Sequence, residues 1–538
     1  MPVTRRQLLG AIGAGWLADP WLRRAVPIRG RIVGAGHALG HKLRDGHAVG
    51  PTGVPERADV VVVGSGVSGV SAAWRLRACG LEPWVVEHEP FPGGTSAWGE
   101  DGPVAHPWGA HYLAAPNPES RVTLRLLAEN GVVTGWDAAG RPRFREELLC
   151  HSPEERLFYR GAWRPGLVPL EALSPAERQE ISRFHDLEEQ LTVAKGNDGR
   201  AAFQLPFEQS SRDPRFLELD RISMAEWLAR NGFSSPFVHW YARYATLDDF
   251  GAELAEASAW AGLHYFAARK LRSEQLGGTR FLVWPEGNGW LVKRLLGSGA
   301  PRLVHGALAT AVRGRPKGGV EVVLLDLGRA EARRIEARGA ILAVPAYVAR
   351  RLVTPAVLER NELLLRKRPS APWVVANLHV RRPVDPDLPW DNVLYDAAGL
   401  GYVSAGHQQT ALSERTVLTY YRAYGQADTA AARTELLGKS WEDLVGEALI
   451  DLAPAHPELG EQTERVDVMI WGHGMPRPRP GFLGPRPFCV DHSLERNLCW
   501  AHVDQTGFAL FEEAIQRGVR AAETIAAELG AAVGESWL

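Results

Sequence analysis

The sequence predicts an α/β protein: a Rossmann-like sheet whose strands are scattered along the chain, with an α+β domain inserted between its pieces. Three observations carry this. Residues 58–94 read as strand, glycine turn, helix, strand and acid. Residues 116–272 are dense in helix-start signals. Apolar strand patterns return after residue 300, and a strongly amphipathic helix closes the chain over residues 511–529.

The chain has 538 residues, room for two or three domains, and is 45% hydrophobic, enough for a sizeable core. Its net charge is −2 and no basic stripe runs along it, which argues against nucleic acid as a partner. The four cysteines, Cys79, Cys150, Cys489 and Cys499, lie far apart without C-x-x-C spacing, so they mark neither a metal site nor a disulfide framework.

At the N-terminus, Thr4-Arg5-Arg6-Gln7-Leu8-Leu9 opens a glycine-diluted apolar stretch reaching Ala18. This resembles a twin-arginine export signal, and it predicts export of the folded protein by that machinery, to the periplasm. The alternative is a plain basic tail. No clear A-x-A cleavage site follows. Ile32-Val33-Gly34-Ala35-Gly36 with Gly40 imitates a nucleotide loop. Its spacing is G-x-G-x-x-x-G and no room for a βαβ unit exists before residue 58, so it reads as a loop or linker. His37, His41 and His47 lack a carboxylate or cysteine at ligand spacing and read as solvated. Residues 1–57 are thus assigned as signal and linker.

Residues 59–63 form a nearly unbroken β-branched run, as in a buried parallel strand. Gly64, Gly66 and Gly69 follow in G-x-G-x-x-G spacing: the first for the tight turn, the second for close approach of a pyrophosphate, the third for helix packing. The helix over residues 67–78 turns its free N–H groups and positive dipole end to the phosphates. Glu87, ending the second strand, can accept hydrogen bonds from ribose hydroxyls and would repel a 2′-phosphate, which argues against NADP. This stretch alone leaves NAD and FAD open.

Further on, Ser174-Pro175-Ala176-Glu177 is a capping box that starts a helix to about Ala194. Ser223-Met224-Ala225-Glu226 is another, ending near Asn231-Gly232. Residues 248–270 mix aromatic and small residues at helical spacing. Residues 302–312 and 319–327 alternate about a turn at Pro316-Lys317-Gly318-Gly319. Residues 339–345 are an apolar strand stopped by Pro345, residues 373–380 another strand, and residues 429–453 read as helix. The expected division is residues 58–115, 273–350 and 460–530 for the nucleotide-binding domain, and residues 116–272 and 351–459 for the substrate domain.

Taken in order, these pieces resemble the flavoprotein superfamily of amine oxidases and phytoene desaturases. The likeness covers most of residues 58–530. It rests on Gly93-Gly94, six residues after Glu87; on Gly109-Ala110-His111-Tyr112; and on Trp284-Pro285-Glu286-Gly287-Asn288-Gly289-Trp290-Leu291. It rests also on the strand at Ala311-Val312, on Ile341-Leu342-Ala343-Val344-Pro345, and on Ala501-His502-Val503-Asp504 with Gly507 before Glu512-Glu513-Ala514-Ile515. The resemblance implies a glutathione-reductase-like domain holding FAD. Its cofactor-binding residues would be Gly64, Ser65, Gly66, Val67, Ser68, Gly69, Glu87, His88, Gly93, Gly94, Thr95, Val312, Asp504 and Gly507. Val312 would lie near the adenine, and Asp504 would hold the ribityl chain.

The chain also departs from that pattern. Gly94-Thr95 stands where many amine oxidases have an arginine after the glycine pair. Their flavin-proximal lysine falls near Val375, and their tyrosine before the last helix falls near Leu510. His111, Tyr112, Trp284, Trp471 and His473 are candidates to reach the flavin face, with core packing as the competing reading. Three functions follow. One is hydride transfer from a small organic substrate, amines included, to FAD, with oxygen or an electron carrier as acceptor. The second is desaturation or isomerisation of an apolar substrate. The third is a non-catalytic FAD-binding electron-transfer protein.

Overall fold

The computed structural model describes residues 28–538 except 35, 47–49, 52, 274, 277–280, 298–300, 330, 386, 388, 410–413, 485–487 and 489–491. The export-signal residues Arg5 and Arg6, with His47 and Cys489, lie outside the described residues. No described helix is long and apolar enough to cross a membrane.

Two large sheets organise the chain. In the first, Glu56–Val63 sits between Pro83–Val86 and Glu331–Leu342, with Arg302–Val304 beyond Pro83–Val86, all in parallel. Leu498–Trp500 adds a further parallel strand beside Leu342. Val60 to Val63 and Ala340 to Leu342 are all but inaccessible, which is why they read as unbroken apolar runs. Ala307–Gly314 and Val320–Asp326 extend this sheet as an antiparallel meander with Glu331–Leu342. Val67–Ala78 and Phe511–Glu528 pack together against it. The second sheet has eight strands, with Ser370–Val380 between Thr416–Ala423 and Thr463–Pro476 at its centre. Its apolar face meets a helical layer that includes Pro175–Val193, Pro236–Phe250 and Ala259–Ala267.

Local signals match where chemistry fixes them. Ser174 accepts from the Glu177 amide and the Glu177 side chain answers, a complete capping box that opens Pro175–Val193. Elsewhere the structure corrects the sequence. The stretch over residues 248–270 is two helices, because Gly251 at φ +56° ends the first in a left-handed cap. Residues 429–453 divide likewise into Thr429–Leu437 and Trp441–Leu452. The boundary at residue 460 moves: Thr463–Pro476 belongs to the second sheet. Residues 29–44, read as linker, hold a strand and a helix. Arg29–Gly34 pairs in parallel with Thr463–Pro476, and His37–Arg44 follows. The sequence hides this strand because four of its six residues are exposed and those same four are arginine or lie beside one.

The first and last helices touch without side chains between them. A Cβ at Gly518 would lie 2.1 Å from the Ser68 carbonyl oxygen and 2.1 Å from Ser71 Oγ. The Ser68 hydroxyl donates to the Ala514 carbonyl at 2.9 Å. Gly518→Ala should therefore force these helices apart and cost about 1–3 kcal/mol, as overpacking does. A thermal melt matching wild type would show that the interface has slack.

Candidate dinucleotide and substrate site

The carboxyl ends of the parallel strands converge, the place where open α/β sheets bind ligands. Gly64 leaves the first strand at φ +100°, and any side chain there would strike the Ala343 carbonyl oxygen at 2.4 Å. A Cβ at Gly69 would lie 1.9 Å from the Gly64 carbonyl oxygen. At Gly66, the cap of Val67–Ala78, a Cβ would meet no atom within 4 Å. Two glycines thus serve backbone packing, and the middle one faces open space before a helix N-terminus. That is a cradle fitted to a pyrophosphate.

Gly93 and Gly94 close the cradle at φ +114° and +55°, with the Gly93 amide donating to the Ser65 carbonyl at 3.0 Å. Glu87 is buried. It accepts from the Ser65 amide at 3.0 Å, the Ser65 hydroxyl at 2.6 Å and the Glu89 amide at 3.0 Å. Burial opposes its charge, but His88 and these donors outweigh it and hold the carboxyl below its ordinary range. His88 lies 2.9 Å from Glu87 and 3.3 Å from Glu89, and despite its burial the two carboxylates push its pKa up to about 10. Asp504 accepts from the Ala346 amide at 2.8 Å and pairs with His502 at 3.3 Å. Gly507, at φ +86°, turns the chain towards the last helix.

A second group of residues stands next to the cradle. The Ala110 amide donates to the Thr95 carbonyl at 2.8 Å, which fixes Gly109-Ala110-His111-Tyr112 beside the glycine pair. His111, Tyr112, Asp248 and Tyr265 stay partly accessible beside the aromatic core of the second sheet and its helical layer, and His111 shares a small internal cavity with Trp284 and Trp390. His111 faces the rings of Tyr421 and Trp390 at 5.1 and 5.9 Å, and burial lowers its pKa to about 4. The Tyr112 hydroxyl donates to Asp248 at 3.3 Å. Tyr421 and Tyr244 donate to Asp391 at 2.9 and 3.3 Å. Arg269 grips Asp249 through two 2.8 Å bonds, and no described cation forms an ion pair with Asp248 or Asp391. Burial, with the Asp249 and Asp391 charges, raises Asp248 well above the carboxylate range, and burial raises Asp391 to about 6.

Most of the expected residues gather here. Ser68 faces the last helix rather than the cradle mouth. Trp471 donates to the Trp108 carbonyl at 2.6 Å, and His473 stacks on Tyr347 at 4.2 Å. One lies away from its expected place. Val312 is 1% exposed in the core of the antiparallel meander; it is Ala307, five residues earlier, whose amide bonds the Glu87 carbonyl. Trp284 stacks on Trp290 at 4.9 Å and lines a small cavity together with His111 and Trp390. The acids Asp248 and Asp391 escaped the sequence reading. Their one local signal is a carboxylate pair, Asp248-Asp249, inside an otherwise apolar helix.

The comparisons agree with this architecture. A family model for an NAD(P)-binding Rossmann-like domain matches residues 62–129. A double mutant of putrescine oxidase superposes with TM-score 0.63 at 16% identity, covering 88% of this chain and 100% of that one. Cyclohexylamine oxidase from Brevibacterium oxydans IH-35A gives 0.62 at 16%, over 88% and 100%. A fatty acid isomerase of P. acnes that produces CLA gives 0.60 at 16%, over 87% and 98%. No curated protein matches the sequence. The chain is therefore an α/β protein with a Rossmann-like dinucleotide-binding domain. More particularly, it has the fold shared by these amine oxidases and the isomerase.

Two outcomes follow. Gly66→Val fits the empty protein but fills the cradle, so it should fold like wild type by circular dichroism and fail to bind a dinucleotide; binding at wild-type strength would remove the cradle from the site. The second concerns pH. Folded Asp248 and Asp391 hold protons that an unfolded aspartate gives up near ~3.9, so the folded state binds more protons. Their stabilising contribution is complete below about pH 4 and is lost as pH rises past about 6 for Asp391 and higher for Asp248. Between about pH 5 and about pH 8 the melting midpoint of cofactor-free Asp248→Asn should rise relative to that of wild type as the pH increases, because the variant lacks the Asp248 loss. An unchanged slope in that variant would show Asp248 ionised in the fold.

Proposed function

We propose that this chain is an FAD-dependent oxidoreductase that takes a hydride from a small organic substrate, and that the substrate is an amine. The observation that carries the reading is the charge imbalance of the inner cavity. Asp391 is buried and Asp248 half-buried, and among the described residues neither forms an ion pair; they stand among tyrosines and Trp390, near the dinucleotide cradle. An ammonium group entering there would supply the missing charge and meet aromatic faces.

The fit to FAD rests on the cradle: Gly66 leaves space for the pyrophosphate, the helix N-terminus provides donors and dipole, and Glu87 stands at the ribose position. FAD, when bound, supplies the hydride acceptor. The protein's part is to hold the substrate. Asp391, fixed by Tyr421 and Tyr244, and Asp248, fixed by Tyr112, anchor the ammonium. His111, neutral and buried, keeps a proton-free ring nitrogen beside them once Nδ1 bonds the Gly109 carbonyl at 3.1 Å. The aromatic walls exclude water. Oxygen or an electron carrier takes the electrons onward.

Anaerobic mixing of the purified yellow protein with amines, alcohols and polyenes tests this. Amines should bleach the flavin. Bleaching by polyenes alone would favour the apolar-substrate reading, and a flavin inert to every donor would favour an electron-transfer role. Asp391→Asn removes a charge-assisted contact worth roughly 1.5–3 kcal/mol. It should raise the amine concentration for half-maximal bleaching about ten- to more than a hundredfold, with flavin retained.

The same proposal includes export of the loaded protein by the twin-arginine machinery to the periplasm, supported by Arg5-Arg6 before a mild apolar stretch. Replacing both with lysine should leave the protein in the cytoplasmic fraction. Unimpaired export would point to another signal.

A further inference from the structure

We propose that residues 29–44 are part of the dinucleotide site: a cover laid across the cradle that must lift for the cofactor to enter or leave. The inference rests on the occupant being a dinucleotide, and it does not depend on what the substrate is. Arg29–Gly34 pairs along the edge of Thr463–Pro476, the strand that carries Met469, Trp471 and His473. Val33 packs into a small apolar cluster with Phe91, Ala97, Trp108 and Met469. Phe91 and Ala97 flank the glycine pair of the cradle, and Trp108 leads into His111. The Gly36 amide donates to Glu89, two residues past the ribose-position acid. His41 comes near enough to His473, on the cavity wall, to bear on its charge. Leu43 packs on the core of the first sheet, and Arg351 donates to the Arg44 carbonyl at 3.0 Å. One strand and one helix thus bridge the second sheet to the first directly over the loops that hold Glu87 and the glycine pair.

The attachment is light. The strand sits at a sheet edge and most of its residues are exposed. It therefore separates from the body more easily than any central strand. Its pairing also has a single vulnerable point. A Cβ at Gly30 would lie 1.7 Å from the Val466 carbonyl oxygen, so no side chain is compatible with the pairing there. Gly30→Val unzips the strand while leaving the cradle residues untouched. Val33→Asp does so independently, by placing a charge in the apolar cluster.

A cover obstructs passage in both directions, and this separates it from a merely structural segment. The test measures FAD release from the full-length holoprotein by recovery of flavin fluorescence, and ADP association with the full-length apoprotein by stopped flow. Gly30→Val and Val33→Asp should each speed FAD release and ADP association by tenfold or more. Wild-type rates in both variants would overturn the cover. Slower association would overturn it too, since it would mean the segment builds the cradle rather than shutting it. Failure of wild type to bind ADP would also overturn it. Absence of bleaching by amines leaves these rates unaffected, and would count against the proposed function alone.

Discussion

The helix Val67–Ala78 is gripped on two sides by bare backbone, and the rest of the site depends on that grip. At its start Gly69 rests against the Gly64 carbonyl, and along its flank Ser68 and Ser71 rest against Gly518 of the last helix. Neither contact has room for a methyl group. Together they fix where the helix begins, and hence where its unpaired N–H groups point. The glycine pair is keyed to the same place, because Gly94 sits with its would-be Cβ 3.2 Å from the Gly66 Cα. Thr95 then positions His111 and Tyr112. The substrate cavity is in this sense registered to the cofactor cradle through a short run of backbone contacts.

The charge arrangement separates the two halves of the site. At the ribose end, Glu87 is held ionised by His88 and backbone donors, so its charge is met before any ligand arrives. In the inner cavity the acids are met only by hydroxyls, which share a proton but bring no positive charge. One half is prepared for a neutral sugar, the other for a cation. His111 adds to the contrast, since its low pKa keeps it from supplying the cation itself.

What was legible in the sequence was what backbone chemistry dictates. The glycine spacing, the buried parallel strand, the capping box at Ser174 and the amphipathic last helix each follow from a local rule that tertiary context does not overturn. Val312 was misplaced because a strand's membership in a sheet says nothing of how far along it a ligand reaches. Asp248 and Asp391 were missed because they lie 143 residues apart and meet only when the second sheet forms. Arg29–Gly34 was missed because its partner strand lies more than 400 residues away and most of its side chains face solvent, so neither period nor composition betrays it.

The seat of Ser68 on Ala514 joins residues 446 apart. That contact sets a timetable. On a ribosome adding about 5–20 residues per second, the first helix waits on the order of 20–90 s for the surface that locks it. For roughly the first 60% of that interval the parallel strand at Val60–Val63 also lacks its neighbour Ala340–Leu342. A nascent chain of this kind exposes its most apolar strand early and shields it late. The nucleotide cradle is therefore among the last features to become rigid.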